Sequence, residues 1–113
     1  MANVGLNAQV MKGLLDALVL GVLARKTNYG LGIVREVNLC FGLDRELLHA
    51  ATLYPLVHRL EAKGLLKSYW RPGARGIDRK YYRITKAGRG YLKKRIQDWR
   101  ELTEILEEII PEV

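Results

Sequence analysis

The sequence predicts a mainly α-helical domain carrying a small β-hairpin wing, with a long helix at the C-terminal end. Three observations point there. The stretch His49–Arg83, HAATLYPLVHRLEAKGLLKSYWRPGARGIDRKYYR, reads as helix, strand, turn-rich basic tip and strand. Hydrophobic residues before it recur at helical spacing. After it, an apolar seam with steps of three and four runs to a proline at position 111. Helix, strand, loop and strand, preceded by two helices, is the layout of a winged helix-turn-helix.

Within His49–Arg83, Leu53, Leu56, Val57 and Leu60 fall on one helix face. Ala51, Pro55, His58, Arg59 and Ala62 occupy the other, a small and basic face suited to close approach by another surface. Pro55 favours a helix start near Thr52, because a proline is tolerated in the first turn, where its missing amide has no partner to lose. Gly64 ends the helix, as glycine does where a left-handed residue is needed. Extended runs follow at 65–70 and 79–85. Their aromatic residues Tyr69, Trp70, Tyr81 and Tyr82 favour sheet, and at least two should pack in the core or across the hairpin. Arg71, Arg75, Arg79 and Lys80 crowd the tip, within reach of phosphates or a minor groove.

The first helix is expected over about residues 9–25. Val10, Leu14, Leu18 and Val22 form one row, with Met11, Leu15 and Val19 beside it. So wide an apolar surface suggests two contacts, one with the core and one with a partner subunit or ligand. Asn28 is placed to cap the second helix, which runs to about Leu39 and buries Ile33, Val34 and Val37. Its N-terminus offers free amides to a phosphate, and Tyr29 is placed either to assist there or to pack. Residues 41–48 read as a loop with a short strand near 45–47. Thr85 caps the last helix, expected over 86–110. Its seam is Leu92, Ile96, Trp99, Leu102, Leu106 and Ile109, which predicts pairing with a second copy.

The 113 residues make one compact unit, divided by role into a reading part at 1–85, whose first helix also approaches the dimer interface, and a pairing helix at 86–113. The net charge of +7 is concentrated. Residues 45–95 carry fourteen basic and three acidic side chains, whereas 96–113 carry one basic and six acidic. A basic middle between near-neutral and acidic ends points to a polyanionic partner. Lys93, Lys94 and Arg95 lie at the wrong end of the last helix for its dipole, so they are expected to serve the neighbouring basic unit. One cysteine excludes an internal disulfide, and the scarce histidines predict no metal or other cofactor. No apolar run is long enough for a bilayer and the N-terminus lacks a secretion pattern, so no membrane partner and a cytoplasmic location are expected. There is no nucleophile–base pair, core carboxylate pair or phosphate loop, which argues against an enzyme.

The runs ATLYPLVHRLEAKGLL at 51–66, SYW at 68–70 and RKYYRITKAG at 79–88, with Tyr29-Gly30 ahead of them, resemble the PadR family of bacterial transcriptional regulators. The resemblance spans roughly residues 8–110. It implies a homodimeric winged helix-turn-helix repressor that binds double-stranded operator DNA and releases it on binding a small planar aromatic compound. DNA contacts would come from Tyr29, Thr52, Tyr54, Pro55, His58 and Arg59 and from Arg71, Arg75, Arg79 and Lys80. In multidrug-sensing members a tryptophan of the last helix stacks on the ligand at the dimer interface. Trp99 stands at the matching place, with Met11, Leu14, Leu18, Ile96 and Thr103 around it; its other role would be to pack the dimer. Arg95 departs from the small residue expected beside such a pore, which counts against cationic ligands. The alternative is a winged-helix dimer that contacts proteins or ligands without a specific operator, and salt-dependent binding to its own promoter separates the two.

Overall fold

The computed structural model describes residues 13–42 and 46–110. Helix α1 spans Leu15–Arg25, strand β1 Asn28–Tyr29 and helix α2 Gly30–Leu39. Helix α3 spans Ala50–Ala62. Strands β2, Leu66–Pro72, and β3, Asp78–Ile84, form the wing, with one 3-10 turn at Ala74–Gly76 between them. Helix α4, Lys86–Ile109, closes the chain. At 24 residues it is about 36 Å long, so it projects well beyond the rest.

The core is built from the predicted faces. Leu53, Leu56, Val57 and Leu60 of α3 are buried, together with Val19, Leu20, Val22 and Leu23 of α1 and Ile33 and Val37 of α2. Tyr82 and Ile84 of β3 and Leu66 of β2 complete it from the sheet. Val34 is half-buried at its margin. Within one copy of the chain, every residue from Leu14 to Ala24 is at least half-buried. The predicted residues Val10 and Met11 lie outside the described residues.

The sheet is antiparallel in the order β1-β3-β2. Its third strand is not the one expected near 45–47. Position 45 lies outside the described residues, and 46–49 take no regular structure. The third strand is Asn28–Tyr29, which pairs with Tyr82 and Tyr81. Two residues are too short for alternation to show in a sequence. This pairing also corrects the expected cap of α2. Asn28 sits one residue early, Tyr29 is the N-cap, and the Asn28 carboxamide oxygen accepts from the Tyr29 amide at 2.9 Å. Its side chain then lies over the first turn, where a Cβ on Gly32 would collide with Asn28 Oδ1.

Helix α3 begins at Ala50, two residues before the expected start at Thr52. The His49 carbonyl accepts from the amides of Thr52 and Leu53 at 3.0 and 2.9 Å, which draws the turn back. Asn38 fixes the incoming chain: its oxygen accepts from the Leu47 and Leu48 amides and its nitrogen donates to the Leu48 carbonyl, all within 2.9 Å. Pro55 therefore sits inside the helix and leaves the Ala51 carbonyl without an amide four residues on. Both residues are exposed, so that carbonyl is open to water and the expected penalty is small.

Gly64 has φ +77° and ends α3 as predicted. Thr85 caps α4, accepting from the Gly88 amide at 3.0 Å. A polar cluster clamps α4 to α1. Asp16 accepts from the Tyr91 hydroxyl at 2.7 Å and from Arg95 at 3.1 Å, and Arg95 also donates to the Gly13 carbonyl. The Asp16 carboxylate holds the Tyr91 phenol above its ordinary pKa, and desolvation acts in the same sense. Lys94 pairs with Asp98 at 2.7 Å. Two of the three misplaced cations of α4 are thus engaged by acids.

Gly88 is the tightest joint between α4 and the sheet. A Cβ there would collide with the Leu65 carbonyl oxygen and stand 2.7 Å from an Ile84 side-chain carbon. Because one of these atoms is backbone, Gly88→Ala is expected to destabilise the fold by about 1–3 kcal/mol in chemical denaturation. An unchanged or raised midpoint would show that the joint yields.

Candidate nucleic-acid interface

Every residue predicted to face DNA from α3 is exposed: Thr52, Tyr54, Pro55, His58 and Arg59. They do not form one cluster. At 100° per residue, Pro55 and His58 lie near the centre of the exposed face, beside Ala51 and Ala62, while Tyr54 and Thr52 flank it on opposite sides. Tyr54 and His58 turn toward the wing. Thr52, Pro55 and Arg59 line the opposite side, in a depression shared with Lys63 and with Asp16 and Arg95.

Toward the wing, a concave groove of about 490 Å³ lies between three elements. Helix α3 contributes Tyr54 and His58, the start of α2 contributes Gly30 and Leu31, and the wing contributes Trp70, Arg79, Lys80 and Tyr82. Tyr29 lies at its edge. Groove, basic wing and helix N-terminus converge, which is a geometry for a polyanionic strand. Tyr54 also has a packing task, because a Cβ on Gly30 would lie 2.5 Å from its hydroxyl. The Tyr54–Gly30 contact sets how closely α3 approaches the start of α2.

Tyr29 takes the packing role foreseen for it. It packs edge-on against Tyr81, with ring centroids 5.6 Å apart, and the Arg79 guanidinium lies 4.4 Å from its centroid. The guanidinium groups of Arg35 and then Arg79 favour its ionised form and hold it below the ordinary phenol pKa. Tyr69 and Tyr81 stack across the hairpin and Tyr82 is buried, as the aromatic content predicted. Burial raises the Tyr82 pKa. Trp70 is different, being 65% exposed on the wing. Its place in the groove was not legible, because exposure on a strand face depends on how far the wing overhangs α3.

The wing tip is exposed. Arg75 adopts φ +62°, and Gly76 follows at φ +73°. A left-handed arginine costs about 1–2 kcal/mol, a strain that fixes the direction of the tip. Ile77, 66% exposed, stands beside it, and no sequence pattern singles it out.

A model of the PadR-like family of transcriptional regulators matches residues 19–94, which contain both the helix-turn-helix and the wing. The chain belongs to this family. It is therefore a DNA-binding PadR regulator, from a family of transcription factors and not of enzymes. A protein of Lysinibacillus sphaericus with no assigned role is 33% identical over 100 residues, spanning 88% of this chain and 91% of its own. A transcriptional regulator of Mycobacterium tuberculosis, Rv3488, is 48% identical over 59 residues, about half of each chain. Among solved structures, a PadR family regulator from Eggerthella lenta superposes with a TM-score of 0.77 at 36% identity, covering 89% of this chain and 85% of its own. A transcriptional regulator from Clostridium thermocellum superposes with a TM-score of 0.80 at 27% identity, covering 94% and 99%. Among the described residues of this PadR chain, no helix is long and apolar enough to cross a membrane.

The groove makes a spectroscopic prediction. Trp70 is expected to change its emission when duplex DNA is added, and Trp70→Phe should remove most of that change. Emission that responds equally in the variant would place Trp70 away from the bound duplex.

Proposed function

We propose that this PadR regulator is a homodimeric repressor, which a small planar aromatic ligand at the dimer interface releases from its operator. The observation that carries the reading is the uncovered apolar stripe of α4. Ile96, Trp99, Leu102, Leu106 and Ile109 are each 38–68% exposed, on a helix that projects from the fold. Ile105, 52% exposed, and the C-cap Ile110 widen the stripe. A row of this length on a soluble monomer would leave a large apolar patch in water. Pairing two copies along it buries the row and sets two α3 helices side by side, with half-sites about 34 Å apart. The chain then divides into a reading part at 1–85 and a pairing helix at 86–113.

Ligand release rests on Trp99 and its neighbours. Trp99 and Ile96 are part-exposed on α4, and Thr103 donates its hydroxyl to the Trp99 carbonyl at 2.8 Å. Leu14 and Leu18 are half-buried on α1. Met11 lies outside the described residues. Arg95 is tied to Asp16 and Gly13, which takes its charge up within the chain and lessens its weight against a cationic ligand.

Arg59→Ala and Arg79→Ala are expected to weaken promoter binding by tenfold or more each, with the dimer intact in sedimentation, whereas Leu102→Glu/Leu106→Glu should abolish the dimer. Full promoter affinity in both arginine variants would refute the assigned contacts. Titration with planar aromatic drugs should quench tryptophan emission and release the promoter together. Quenching that persists unchanged in Trp99→Phe would exclude Trp99 from the ligand site.

A further inference from the structure

The outer face of the sheet turns away from the core and from α3. Strand alternation separates the two faces. Leu66, Tyr82 and Ile84 point into the core, and Ser68 on the same face donates to Glu61 of α3 at 2.6 Å. Lys67, Tyr69, Arg71, Arg79, Tyr81 and Arg83 point the other way, joined at the edge by Tyr29. The register sets Lys67 opposite Arg83 and Arg71 opposite Arg79, with Tyr69 opposite Tyr81 between these rungs. Like charges directly opposite on neighbouring strands are destabilising, and the three strands contribute no acid to this face to relieve them. Stability alone would not select two such rungs on one face.

We propose that this outer face is a second DNA-backbone surface, which holds phosphates flanking the segment approached by α3. The inference rests on the DNA-binding reading above. The four cations mark the corners of a plate whose rungs lie four residues apart, about 13 Å. The tyrosines hold the charges in place. The Arg71 guanidinium lies 4.6 Å from the Tyr81 centroid, and that of Arg79 lies 4.4 Å from the centroid of Tyr29. Rings covered by guanidinium groups are not open to stacking bases, so the plate fits sugar-phosphate and reads no sequence. Arg79 and Tyr29 also line the inner groove, which makes the two surfaces continuous around the sheet edge. That continuity favours one duplex over a separate acidic protein.

The test compares Lys67→Ala/Arg83→Ala with the wild-type full chain on random-sequence duplexes of about one and about three helical turns. Wild-type affinity is expected to depend more steeply on salt with the longer duplex. The variant should lose about 2 of that log–log slope, because each phosphate contact contributes about 0.9. On the short duplex it should match the wild type. His58→Ala/Arg59→Ala should instead weaken binding on both lengths, and if the wild type itself binds neither duplex, the DNA-binding reading fails and the outer face with it. Lys67→Glu should raise Tm, because it turns a like-charge rung into an ion pair, and lower the slope on the long duplex. Equal slopes for wild type and Lys67→Ala/Arg83→Ala on the long duplex would overturn the proposal. So would a change confined to self-association without DNA, since the occupant would then be the acidic end of another copy's α4.

Discussion

Thr85 holds together the parts of the molecule that must keep a fixed relation. Its hydroxyl donates to the Gly64 carbonyl at 2.7 Å and accepts from the Gly88 amide at 3.0 Å, and its amide donates to the Leu65 carbonyl at 3.1 Å. One residue thereby joins the end of α3, the end of β3 and the start of α4. Gly64 supplies the left-handed turn that brings its carbonyl there, and Gly88 supplies the close approach. The core, the wing and the direction of the projecting helix all follow from this junction.

How much was legible in the sequence depended on the range of the signal. The buried face of α3, the stop at Gly64, the cap at Thr85 and the exposed apolar row of α4 from Ile96 to Ile109 are local patterns, and each appears where the pattern placed it, whereas Leu92, expected on the same row, packs against the core of its own copy. The misses are tertiary. Asn38 reaches across nine and ten residues to Leu47 and Leu48, and this tether sets the start of α3 against the preference of Pro55. Strand β1 exists only because β3 lies beside it. The candidate site was legible as a set of residues but not as an arrangement. No periodicity shows that His58 and Tyr54 share a groove with Trp70 and Lys80, or that Arg59 turns to the opposite side with Lys63.

Charge on this chain has two fates that composition cannot separate. Arg95 and Lys94 pair within the fold with Asp16 and Asp98. On their sheet face Lys67 stands opposite Arg83 and Arg71 opposite Arg79, and the guanidinium groups of Arg71 and Arg79 lie over tyrosine rings. The first kind fixes helices to each other. The second keeps a positive potential directed outward at some expense to the sheet, and this group explains why the net charge of the middle segment matters.

The clamp of Asp16 on Tyr91 and Arg95 lies close to the root of a 24-residue helix. Seen as a lever, α4 has a short inner arm gripped by that clamp. Its outer arm, from Ile96 to Ile109, is about 21 Å long and in a single copy ends in solvent. A tilt of about 5° at the clamp would carry the tip about 2 Å, the scale on which packed helices switch between arrangements. The length of α4 thus acts as mechanical gain: a slight reseating of Tyr91 against Asp16 is magnified at the far end of the helix.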